Sequence, residues 1–179
     1  MRQNGVVQKA AVSIDQVLSS ADAALMRDEA ATGQPIPSGF DVLDTYLGGG
    51  FRPGELVLLG GPQGLGKTTM ALQMLRNVAK SGRTGVYFSY EHDETYMLER
   101  LISMEAGEAQ GLEGISVRRV RRVLEAQDGA TGDLETRMAA IPGGAQAVRA
   151  VREYSSRLFV HPASGSTTDL REIRAVLER

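Results

Sequence analysis

Ten residues restrict the possible folds of this chain more than any others: GGPQGLGKTT, Gly60 to Thr69. Glycines at 60, 61, 64 and 66 leave too few side chains for a packed strand or helix, so the segment must be a tight loop. The aliphatic run Leu56 to Leu59 comes immediately before it, and its length and turn boundaries predict a buried strand. After it, Ala71, Met74, Leu75 and Val78 recur at helical spacing until Gly82. A strand, a glycine loop and a helix in that order open a layered α/β domain. With 179 residues, 42% of them hydrophobic, the chain is large enough for one such domain with a real core.

Gly61 to Thr68 fits the spacing G-x-x-x-x-G-K-[ST]. Phosphate oxygens need many donors converging at short range. Glycines let backbone N–H groups approach, and the N-terminus of the following helix adds its positive dipole. Lys67 can reach the β- and γ-phosphates of a nucleotide, and the Thr68 hydroxyl can occupy a Mg²⁺ position. In this composition an accidental match anywhere in the chain has a probability of about 0.005. Gly61, Pro62, Gln63, Gly64, Leu65, Gly66, Lys67, Thr68 and Thr69 are therefore the expected nucleotide cradle.

Downstream the text keeps alternating. TGVYFSY, Thr84 to Tyr90, reads as a second strand; Thr95 to Ala106 reads as a helix through Met97, Leu98, Leu101 and Ile102. Val117, Val120, Val123 and Leu124 mark another helix, and Ala147 to Ser156 a further one. RLFVH is a third strand, and Asp169 to Arg179 begins a last helix. Residues 125 to 146 give no clear pattern. The alternation predicts a mostly parallel sheet covered on both faces. Upstream, Ser13 and Gln16 make a capping box, and Ile14, Val17, Leu18, Ala21 and Leu25 continue as an amphipathic helix. Residues 1 to 12 read as a loose arm, Thr32 to Gly39 as a Pro/Gly linker, and Ser38 to Leu47 as a short helix closed by Gly48 to Gly50.

Glu91 follows the second strand, at the sheet edge where ligands of parallel α/β folds sit. Its carboxylate could polarise a water for attack on a γ-phosphate, or, on a rival reading, hold the metal at the end of that same strand. Asp93 and Glu94 show that acids are common there, so a plain solvated side chain is the bland alternative. The arginines 118, 119, 121 and 122 fit the solvated face of an amphipathic helix better than a contact patch. His92 and His161 lack metal-ligand spacing and read as surface or hydrogen-bonded residues.

Several classes are excluded or disfavoured. There is no cysteine, hence no disulfide or thiolate chemistry. A net charge of −2 gives no global positive field. No apolar run approaches the ~20 residues of a membrane span, and the N-terminus lacks a secretory core. The expected location is the cytoplasm.

Read together, IPSGFDVLDTYLGGGFRPGELVLLGGPQGLGKTTMALQ and GVYFSYEHDETYMLERLISMEAG resemble the RecA-like ATPase core, and within it the motor domain of DnaB-like replicative DNA helicases. The resemblance implies an α/β fold, a RecA-like P-loop NTPase core incomplete at its C-terminus. It implies ATP and Mg²⁺ as cofactors, Glu91 as the base that activates water, and Arg100 beside the adenine. It also implies a linker helix at 13–31 docking on a neighbouring subunit of a homo-hexamer, a core at 32–179, single-stranded DNA as substrate, and a primase or loader as partner. RLFVHPASGSTTDLREIRAVLER resembles the strand and helix that precede the metal-binding aspartate strand. The expectation is thus roughly the first half of a motor. A RecA-like repair or recombination ATPase, and a non-catalytic nucleotide-binding module, are the competing readings.

Overall fold

The computed structural model describes residues 11–27, 33–128, 131–164 and 168–178. The expected arm at 1–12 and the end of the linker-helix segment at 28–31 lie almost wholly outside these residues. Helix α1 (Ile14–Met26) begins with the expected capping box: the Ser13 hydroxyl accepts from the Gln16 N–H, and the Gln16 side chain accepts from the Ser13 N–H. It buries none of its residues, so Ile14, Val17, Leu18 and Leu25 face outward.

The body is built from α2 (Asp41–Tyr46), α3 (Lys67–Lys80), β1 (Gly85–Ser89), α4 (Glu94–Gln110), α5 (Val117–Glu125), α6 (Leu134–Met138), α7 (Gly144–Tyr154), β2 (Leu158–Pro162) and α8 (Leu170–Leu177). β1 and β2 pair in parallel, Gly85 opposite Leu158 through Ser89 opposite Pro162. The period of two along them puts Tyr87, Leu158 and Val160 on one face, packed against a core of Leu72, Met97, Ile102, Val148 and Tyr154 from α3, α4 and α7. The opposite face carries Phe159, which is exposed, and Phe88, whose ring meets His161 edge-on at 5.3 Å. There α8 contributes Glu172, 3.4 Å from His161 Nε2. Cover on both faces was expected; among the described residues the buried core lies on one.

Two further expectations need correction. Leu56 to Leu59 is not a buried strand: it carries no ladder, and its side chains are 44% to 86% exposed. A strand exists by virtue of its neighbours, and neither β1 nor β2 pairs with this run. Nor is the segment before α2 a simple linker. Ile36 and Phe51 exchange backbone hydrogen bonds, and Ser38 is fully buried. The Asp44 carboxylate accepts from the Ser38 and Gly39 amides at 2.7 and 3.1 Å, and Asn77 Nδ2 of α3 donates to the Ser38 carbonyl at 3.0 Å. SGFDVLD is therefore a knot that fixes the chain entry against α3. Among the described residues of 125 to 146, unreadable in sequence, the end of α5 is followed by the short α6 and by turns that lead into α7 at Gly144.

Candidate functional site

The glycine loop ends with Gly66 in a left-handed conformation (φ 88°), and α3 starts at Lys67. A side chain at 66 would be strained there, so glycine is the residue that lets the chain turn directly into a helix. The turn aims the first N–H groups of α3, at Lys67, Thr68 and Thr69, along the helix axis into open space. Lys67 Nζ lies back over the loop and donates to the Gly61 and Pro62 carbonyls, each at 2.8 Å. The ammonium is exposed and these carbonyls are exchangeable partners.

The facing wall comes from the end of β1 and the start of α4. Ser89 is buried, and its hydroxyl ties a sharp turn by donating to the His92 carbonyl at 2.5 Å and accepting from the His92 N–H at 3.2 Å. Its carbonyl accepts from Ala163 N–H at 2.7 Å, so the turn is braced by the residue that follows β2. The turn presents Tyr90 and Glu91 outward. Asp93 then caps α4, accepting from the Tyr96 N–H at 2.8 Å.

Three side chains stack along the start of α4, His92 from the turn before it and Tyr96 and Arg100 from the helix. The His92 and Tyr96 rings lie 3.8 Å apart and 24° from parallel, and the Arg100 guanidinium sits 4.4 Å from the Tyr96 ring centre on a cation–π contact. Arg100 also donates to the Tyr96 hydroxyl, and through Nη1 to Thr69 Oγ1 at 3.0 Å. The stack is thereby fastened to the first turn of α3. Between loop and wall lies a cleft of about 930 Å³, lined among others by Lys67, Thr68, Glu91 and Arg100. Every residue from 63 to 69 except Leu65 lines it; Gly61, Pro62 and Leu65 do not, and Leu65 points to solvent. Burial pushes the Tyr87 phenol up, with a hydrogen bond to the Thr68 hydroxyl acting the other way.

The separation of loop and wall is held by charges packed between α3 and α4. Arg76, buried on α3, lies 3.6 Å from Glu105 and 2.9 Å from Glu108; Lys80 lies 2.9 and 3.2 Å from the same two carboxylates. For Glu108 burial alone would raise the pKa, but the Lys80 hydrogen bond and the Arg76 charge outweigh it and hold the carboxyl below its ordinary value. Tyr154 caps this cluster from α7. Burial first, and the adjacent Glu105 second, push its phenol far up.

The sequence reading brought Lys67, Thr68, Glu91 and Arg100 forward, and the fold gathers them around one cleft. It missed His92, Tyr96 and Tyr87 as parts of that cleft. The H-x-x-x-Y-x-x-x-R spacing, two successive i, i+4 steps, was the available signal. Among the described residues no group of three or more His, Asp or Glu side chains is placed to hold a metal. Among them, too, no helix is long and apolar enough to cross a membrane.

A glycine loop feeding a helix, next to a parallel strand that ends in a carboxylate, defines a P-loop NTPase of the RecA-like class. Residues 35–130, just over half of the chain, match the family described as DnaB-like helicase C terminal domain, and the chain belongs to that family. Partial similarity extends to the DNA repair protein RadA of Mycobacterium tuberculosis (strain H37Rv), 47% identical over 58 residues, 32% of this chain and 12% of that protein. The protein RecA of Gloeothece citriformis is 40% identical over 82 residues, 45% of this chain and 22% of that protein. RadA of Campylobacter jejuni is 42% identical over 64 residues, 36% and 14% respectively. The chain thus spans between about a tenth and a quarter of the length of these relatives. No solved structure matches it.

Proposed function

We propose that the cleft binds Mg²⁺–ATP and that, in the assembled motor, its hydrolysis drives movement along single-stranded DNA. The observation that supports this is the convergence of Lys67, Thr68, Glu91 and Arg100 on one cleft between the loop and the end of β1. The residues fit the cofactors. No atom lies within 4 Å of where a side chain at Gly64 or Gly66 would begin, so the loop backbone is open to close approach. Lys67 would pair with the β- and γ-phosphates, and Thr68 would hold the cation, which when bound supplies charge neutralisation at those oxygens. Glu91, exposed at the tip of the Ser89 turn, would orient the attacking water and accept its proton. Arg100, with Tyr96 and His92 behind it, would flank the base. The outward apolar stripe of α1 supports docking on a neighbouring copy, as a ring requires.

A second reading is favoured by the RadA and RecA similarities: the same core working in DNA repair or recombination. Both readings share the cleft. They part on assembly, since a closed ring needs α1 as a docking element. Deleting residues 1–27 is expected to abolish a ring and to spare nucleotide binding.

The first test is binding of a fluorescent ATP analogue with Mg²⁺. The expected result is saturable binding that Lys67→Ala removes. Binding that survives Lys67→Ala would overturn the assignment of the cleft.

A further inference from the structure

Helix α5 lies outside the nucleotide cleft and divides sharply. Val120 is fully buried, and Val117, Val123 and Leu124 are half-buried beneath it. The other side carries four arginines within five residues. Arg121 is the anchor: its Nε donates to both Glu99 oxygens at 2.9 and 3.1 Å, and its Nη2 to Oε2 at 2.7 Å. Glu99 is 3% exposed, so this bidentate pair locks α5 against α4. Arg118, Arg119 and Arg122 are exposed and form no ion pair among the described residues. Arg118, Arg121, Arg122, Glu125 and Ala126 surround a shallow depression.

Some exposed arginines elsewhere find carboxylates: Arg149 with Glu135, Arg152 with Asp133, Arg174 with Glu178. Arg52, Arg83 and Arg171 are exposed without an ion pair among the described residues, but each stands far from the others in sequence, whereas α5 gathers three such arginines within five residues. On α5, Arg118 and Arg122 instead stand at i and i+4, where like charges repel. A face that served only solubility would have no need of that. The type of residue is informative as well, because a guanidinium fork matches phosphate oxygens two at a time. Four residues of helix rise about 6 Å, so the three free arginines present their forks as a short row. No aromatic side chain stands among them to stack a base. The helix also offers no exposed apolar residue on that side to seat a peptide.

We propose that the Arg118–Arg119–Arg122 face of α5 is a docking surface for the sugar–phosphate backbone of single-stranded nucleic acid, held rigid by Arg121 and Glu99. It reads phosphate and not sequence. The proposal rests on nucleic acid being this protein's partner, and not on nucleotide hydrolysis.

The test is anisotropy of a labelled oligothymidylate, without nucleotide, against rising salt. Wild-type chain is expected to bind with an affinity that falls with salt at a log–log slope of about −2, or about −0.7 for each of three phosphate contacts. Arg118→Gln/Arg119→Gln/Arg122→Gln is expected to weaken binding at least ~10-fold and to flatten that slope. The three side chains are exposed, so an unchanged circular dichroism spectrum checks the fold. Lys67→Ala should bind the oligonucleotide as wild type does, even though it loses ATP. Three results would each overturn the proposal. One is unaltered binding by the triple variant. Another is loss of binding in Lys67→Ala, which would mean that the phosphate loop had captured the strand. The third is equal, variant-sensitive binding of polyglutamate, which would make the partner an acidic protein.

Discussion

The Arg100 guanidinium donates to the Thr69 hydroxyl at 3.0 Å, joining the α4 wall of the cleft to the first turn of the loop helix. These residues are 31 positions apart, and their contact fixes how far the wall stands from the phosphate cradle. The Tyr96 ring beneath Arg100 and the His92 ring beneath Tyr96 carry that constraint to the turn bearing Glu91. Arg100→Ala should therefore loosen the wall and weaken Mg²⁺–ATP about tenfold, roughly 1.4 kcal/mol, within the range of a hydrogen bond to a charged group. Arg100→Lys keeps the charge but loses the planar contact with Tyr96, and should recover only part of the affinity. A fluorescent ATP titration reads both, and equal affinities for all three proteins would remove Arg100 from the site.

The turn that presents Glu91 depends on one buried hydroxyl. In Ser89→Ala the His92 N–H and carbonyl lose their shared partner, at a cost of about 1–3 kcal/mol if they are left unpaired. Amide exchange separates this from a general loss of stability. His92 N–H should exchange much faster in the variant, while amides in the middle of α3 stay protected. Uniform acceleration across the domain would show that Ser89 supports the fold and not the turn alone.

Asp44 gives the entry knot a pH dependence. Burial would raise its pKa, but the hydrogen bonds from Ser38 and Gly39 prevail and lower it below the ordinary 3.8. A carboxylate with a depressed folded pKa contributes stability above its unfolded pKa, and that contribution is lost as pH falls through the folded value. Asp44→Asn should thus melt clearly below wild type near neutral pH, with the gap closing below about pH 4. A gap that is constant from about pH 7 to pH 3 would mean that the carboxylate charge contributes nothing to the knot.

What could be read from the residues, and what could not, follows the range of the interactions. The capping box at Ser13, the 3.6-residue periodicity of α3 and α4, and the apolar runs of β1 and β2 are local, and each appeared within a residue or a few of its expected place. The phosphate loop is local too, because its chemistry is written in consecutive glycines. Thr32 to Gly39 reads as a linker because its prolines and glycines are visible, whereas the Asn77 side chain that holds its Ser38 is 39 positions away. Arg121 looked like one more solvated arginine; its partner Glu99 lies 22 residues back, on a helix whose apolar spacing gives no hint of a buried carboxylate. Leu56 to Leu59 failed for the same reason in reverse. Composition can mark a segment as fit to be a strand, but pairing is supplied by other strands, and among the described residues β1 and β2 pair only with each other.

That last difference makes two leucines fourteen residues apart behave oppositely. Leu72 of α3 is fully buried in the core, and Leu72→Ala should cost about 2–5 kcal/mol through lost burial and the cavity left behind. Leu58 is 86% exposed, so Leu58→Glu removes no packing and should leave the melting temperature nearly unchanged. It should also reduce self-association, since it places a charge inside an exposed aliphatic run that includes Leu56 and Val57. Thermal melts together with light scattering at several protein concentrations check both halves. If Leu58→Glu destabilises the chain as much as Leu72→Ala does, the Leu56–Leu59 run is packed in solution, and the buried strand expected from its sequence is the better description.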